Sequence, residues 1–147
     1  MATAVLEQLV GKGQKFVPVA NVKALDYRNE RVVARLAEEG GLEMEEAREL
    51  FADTLKFLAL TDNSVKLSPA ARIDLGWHVF LLHTRDYADF CKSCFGHFVH
   101  HDPGSGLVCS GPKMDVVETA HLAQSIFGEI SSNWTATRGA TCGSGGC

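Results

Sequence analysis

The stretch LSPAARIDLGWHVFLLHTRDYADFCKSCFG, residues 67 to 96, decides the fold. Ser68 followed by Pro69 is a helix start: a serine hydroxyl accepts from free N–H groups of the first turn, and proline has no N–H to leave unpaired there. The helix should run from Ser68 to about His83. Its second half, WHVFLLH, is apolar on nearly every side, which predicts a helix buried at the centre of the molecule. Thr84 can cap a further helix, RDYADFCKSCF, and Gly96 ends it.

On the N-terminal side, Leu25, Val32, Val33 and Leu36 recur at helical spacing over residues 22–39, and Gly40 and Gly41 supply the stop. A helix over 43–60 follows, with Met44, Ala47, Leu50, Phe51, Leu55 and Leu58 on one stripe and acidic residues in its first turn, where the helix dipole favours them. On the C-terminal side, Pro103, Gly104, Gly106, Gly111 and Pro112 mark an irregular connection after the fourth helix. Residues 115–130 then read as a fifth helix, with Val117, Ala120, His121, Gln124 and Phe127 along one side. No stretch has convincing strand alternation. The expected fold is an all-α, single-domain bundle of about five helices: an arm over 1–20, the helical domain over 21–131 and a flexible Gly/Cys-containing tail over 132–147.

A chain of 147 residues is the usual size of one domain. Its net charge of −4, with no long basic run, argues against nucleic-acid binding, which needs lysines and arginines to neutralise phosphates. Glu43, Glu45, Glu46, Glu49, Asp53 and Asp62 read as a solvated helix face. No apolar run reaches the roughly 20 residues of a membrane span, and Glu7 interrupts an N-terminus without the basic head of a secretory signal. The expected location is therefore the cytoplasm, with reduced cysteines. Five cysteines, an odd number, fit poorly with a fully paired disulfide framework.

Residues 77–103 carry five of the six histidines, and the chemistry is sought there. Asp74 and His78 stand four apart and share one side of a helix. A carboxylate behind an imidazole fixes its tautomer and frees the other nitrogen for a metal, or simply satisfies a buried histidine. His83 lies about 140° further round from His78 and is expected at the helix end instead. His100 and His101 are neighbours in a segment that Pro103 keeps extended, so their side chains point to opposite sides and one can approach His78. The expected metal ligands are His78, His101 or His100, and Cys91, with Asp74 and Tyr87 in support; mixed nitrogen and sulfur donors favour one zinc ion, or iron. An alternative set is Cys91, Cys94 and His97, weakened by the helix break at Gly96 and by the packing role open to small buried cysteines. Cys142 and Cys147 in the tail could bind a soft metal or exchange disulfides.

Asp74, Trp77, His78, Tyr87, Cys91, Gly96, His100 or His101, and Pro103 together resemble the Asp-x-x-Trp-His … Tyr … Cys … Gly … His-His-x-Pro pattern of the glycine-rich domain-containing proteins, and the tail CGSGGC suits that family's name. The resemblance implies positions rather than a reaction. Phe80 stands where plant members often carry a second histidine, so a mechanism using both histidines is not carried over.

Three functions compete on these residues: a metal-binding helical module, a non-catalytic protein-interaction domain whose Trp-His motif is core architecture, and a thiol or modified-peptide carrier acting through Cys142 and Cys147. No standard catalytic motif is present: there is no Ser-His-Asp set, phosphate loop or dinucleotide glycine pattern.

Overall fold

The structure is a computed structural model and describes residues 20–61, 65–101 and 113–135. Among these residues lie six α-helices: α1 Val22–Leu25, α2 Glu30–Gly40, α3 Met44–Leu60, α4 Ala71–Leu82, α5 Thr84–Phe95 and α6 Val116–Phe127, followed by a 3-10 turn, Ser132–Trp134. The described residues contain no strand, only one parallel bridge between Lys66 and Lys113. The fold is all-α. No described helix is long and apolar enough to cross a membrane.

The helix expected over 22–39 is divided in two. Asn29 accepts from the N–H groups of Arg31 and Val32 and so starts α2 afresh. The break frees Tyr27 to enter the core, where its ring stacks on Phe80 at 5.5 Å and meets Phe51 and Phe90 edge-on. Val32, Val33 and Leu36 are the buried face of α2.

The centre of the bundle is α3 rather than α4. It packs against α1, α2, α4, α6 and the 3-10 turn, and from Phe57 to Leu60 every residue is buried. A reciprocal cap, Glu43 with Glu46, starts it. By contrast α4 buries Ile73, Trp77, Val79 and Phe80 but leaves Leu82 66% exposed. Trp77, Phe51, Leu55, Leu58 and Phe90 are buried as expected, whereas Leu81 is only partly so. Gly76 lets α4 lie against α3: a Cβ there would collide with the Thr54 hydroxyl, which donates to the Leu50 carbonyl at 2.8 Å.

Two further expectations are corrected. Ser68 does not cap α4. Its hydroxyl donates to the Met114 carbonyl at 2.7 Å and its N–H to Thr119 Oγ1, so it ties the start of α6 to the chain before α4, and the helix begins at Ala71. Asp53 does not share the solvated acidic face, although Glu43, Glu45, Glu46 and Glu49 do. It is buried, and it accepts from the Ser131 hydroxyl at 2.6 Å and the Asn133 side-chain amide at 3.0 Å. This holds the 3-10 turn on α3, with Trp134 fully buried near Phe57. Asn133 and Trp134, within the expected tail, are thus buried against α3. The arm, most of the irregular connection and the rest of the tail lie outside the described residues.

Candidate metal centre

Helix α4 presents Asp74 and His78 from adjacent turns. The third participant arrives by a sharp return of the chain. At Gly96, φ is +74°, a conformation that strains any residue with a Cβ, and its N–H closes α5 on the carbonyls of Cys91 and Lys92. Beyond it, Trp77 Nε1–H donates to the Tyr87 hydroxyl at 3.0 Å, and the Tyr87 hydroxyl donates to the Val99 carbonyl. Burial is the main cause pushing the Tyr87 phenol well above its ordinary pKa, with the Trp77 N–H pulling the other way, so the hydroxyl keeps the proton it donates. Tyr87 thus acts on the site through the backbone, by fixing Val99 two residues before His101.

His101 turns inward and His100 outward, as neighbours on an extended chain must. The His101 side chain is 6% exposed. Its ring lies 4.1 Å from that of Trp77 and 4.5 Å from that of His78. Its Nε2 is 2.6 Å from Asp74 Oδ1. A carboxylate only accepts, so the imidazole donates in this contact. His78 Nε2 is 3.4 Å from the other oxygen, Oδ2, and the His78 side chain is 49% exposed. Asp74 therefore stands between two histidines, one oxygen toward each, rather than behind His78 alone. One ligand atom from each of Asp74, His78 and His101 lies within 4.8 Å of the others.

The other expected residues fall elsewhere. Cys91 is fully buried beside the Tyr87 hydroxyl and is not part of this group. His100 is exposed, with its ring 4.8 Å from Phe98. Cys91, Cys94 and His97 form no ligand group of their own among the described residues. Burial pushes the Cys94 thiol up, which disfavours the thiolate a metal needs. His83 sits at the α4–α5 junction with Nδ1 3.0 Å from the Val79 carbonyl. Cys142 and Cys147 lie outside the described residues.

Fold and site together define a small α-helical domain with a cluster of two histidines and one carboxylate where a helix meets an extended return. The chain belongs to the UCP032817-like family, whose profile matches residues 20–121. This overturns the resemblance to glycine-rich domain-containing proteins. The match ends well before the tail CGSGGC, and the short motif behind that resemblance is accounted for by local packing, with Trp77 bonded to Tyr87 and Gly96 turning the chain. A search of curated proteins and of solved structures finds no significant match. The family name carries no activity.

Proposed function

We propose that this domain binds one divalent transition metal, zinc or iron, through Asp74, His78 and His101. The approach of these three ligand atoms to within 4.8 Å of one another carries the reading. Donors about 2.0–2.2 Å from a zinc ion lie about 3.3–3.6 Å from each other. His78 Nε2 and Asp74 Oδ2 at 3.4 Å thus already suit an ion, while His101 Nε2 and Asp74 Oδ1 at 2.6 Å would give up their hydrogen bond and move apart as the ion replaces the proton between them. The His78 side chain is half exposed, whereas those of Asp74 and His101 are buried, so His78 is the member an ion reaches first. Two imidazoles and a carboxylate are a donor set that suits zinc and, as a facial triad, iron. In this reading Asp74 is a ligand, and Trp77 and Tyr87 hold the return that supplies His101.

The test is metal analysis of the purified full chain, with His78→Ala and His101→Ala beside it. About one equivalent is expected in the parent after zinc loading and none in either variant. Asp74→Asn should lose as much as the histidine variants; a loss of only about 10- to 100-fold in affinity would return Asp74 to a supporting role. A parent that takes up no zinc or iron would overturn the reading.

One observation favours a second reading. The 2.6 Å contact between His101 and Asp74 fastens residues 98–101 to α4 without any ion, as a non-catalytic interaction module would require. Under that reading a chelator leaves the melting temperature unchanged. Under the first, removing a metal held at 100 times its dissociation constant lowers stability by about 2.7 kcal/mol.

A further inference from the structure

We infer that Cys91 and Cys94 form a redox pair, and that a disulfide between them loosens the return of chain that carries His101, withdrawing that histidine from Asp74. The effect on a metal rests on the metal reading above; the effect on His101 does not. Both residues are free thiols, one turn apart on α5. Cys94 is partly exposed and Cys91 fully buried, and the two lie close enough for a charge on Cys91 to act on Cys94. Cys91 also stands where two ties of the return meet. Its carbonyl accepts the Gly96 N–H at 3.1 Å, which closes the helix and starts the turn. Its thiol lies against the Tyr87 hydroxyl, which holds the Val99 carbonyl two residues before His101. Cys94 is tied as well: its carbonyl accepts from the Asn21 side-chain amide at 2.7 Å.

Geometry makes this disulfide a strained one. Side chains three apart on a helix have Cβ atoms about 5–6 Å apart, whereas a disulfide holds them at about 3.5–4.5 Å. Closing the bond therefore tightens the last turn of α5. Tyr87 lies one turn before Cys91 and Cys94 one turn after it, so the bond also draws the Cys91 thiol away from the Tyr87 hydroxyl. Strained disulfides are the readily reduced, regulatory ones. The oxidant is a small disulfide such as oxidised glutathione. The Cys94 thiolate attacks it, forming a mixed disulfide and releasing one thiolate; the Cys91 thiolate then attacks the Cys94 sulfur and releases the second. Two protein thiols are oxidised and one small disulfide is reduced, and the protons of Cys91 and Cys94 pass through solvent to the released thiolates. Burial raises the Cys94 pKa, which slows the first attack.

The test uses the full chain with Cys109→Ser, Cys142→Ser and Cys147→Ser, so that only this pair can react, either treated with oxidised glutathione or kept reduced. Peptide mass mapping should find the Cys91–Cys94 disulfide in the treated protein. Diethyl pyrocarbonate acylates imidazoles it can reach. In the metal-free protein it should label His101 after oxidation and spare it before, when that side chain is 6% exposed. Zinc affinity should fall about 10- to 100-fold on oxidation, as when the support behind a ligand is lost, and dithiothreitol should restore both readings. The same chain with Cys94→Ser added should show neither change. No Cys91–Cys94 disulfide, or one that leaves His101 protected, would overturn the inference, as would an equal response in the Cys94→Ser protein. If the reduced protein bound no zinc, the metal reading would fail, and the labelling of His101 would still decide this inference.

Discussion

Asp53 and Asp74 are both buried aspartates on neighbouring helices, and each accepts from residues far along the chain. They differ in their partners. Asp53 receives a serine hydroxyl and an asparagine amide, with the Lys56 ammonium at 3.9 Å. None of these can also ligate a cation well, and the group seals a chain end. Asp74 receives imidazoles, one of them half exposed. Imidazole nitrogens can exchange a proton for a metal ion, and under the proposed metal reading the exposed ring would give that ion a route in. A buried carboxylate alone does not mark a site. The chemistry and exposure of what it faces do.

The largest effect expected from this contrast is in metal content. His101→Ala should abolish it, and Asp53→Asn should leave it at the parent level; a loss of metal in Asp53→Asn with the fold intact would break the distinction. Next in size is the chain end. Stopping the chain after Ile130 removes Trp134 together with both donors to Asp53, and should cost about 3–5 kcal/mol in chemical denaturation, as deleting a buried tryptophan does. Stopping after Thr135 should cost nothing measurable, because residues 136–147 contain no large apolar side chain. Equal losses in the two truncations would place the anchor in the tail instead.

A smaller effect should follow from Asp53→Ala, which leaves the Ser131 and Asn133 donors without their acceptor, at about 1–3 kcal/mol. Unchanged stability would mean that the turn is held by Trp134 alone. The smallest should be an alkaline one. Burial raises the phenols of both Tyr27 and Tyr87 above 10.0. The unfolded chain then loses these protons first, so this contribution is full below pH 10 and is lost as pH rises toward the folded values, by about 1 kcal/mol per pH unit for Tyr87 and by less for the only partly buried Tyr27. Tyr87→Phe should flatten this decline; an unaltered slope would remove Tyr87 from the account.

Much of the fold was legible because the helix signals are local. The apolar spacing of Val32, Val33 and Leu36 and the stop at Gly96 depend only on nearby residues. Ser68 misled because its hydroxyl had a better acceptor, Met114, 46 residues away. Asp53 was hidden for the same reason, as its donors lie 78 and 80 residues later. For the site, the i,i+4 placing of Asp74 and His78 and the opposed directions of His100 and His101 were readable from backbone periodicity. Cys91 beside Tyr87 is an ordinary i,i+4 neighbour on α5, but that His101 would turn inward depends on where the return after Gly96 crosses α4. No local pattern encodes that crossing.

Gly76 has a consequence for the histidines it never touches. It lies two residues from Asp74 and two from His78, hence about 200° round the helix from each, with the site on the opposite side of α4. The helix meets α3 there with bare backbone against Thr54, and that contact sets its rotational phase, as a keyway sets a shaft. The aim of His78 toward His101 is thus indexed from behind by an absent side chain. A single methyl group at position 76 would turn the whole donor set without meeting any member of it.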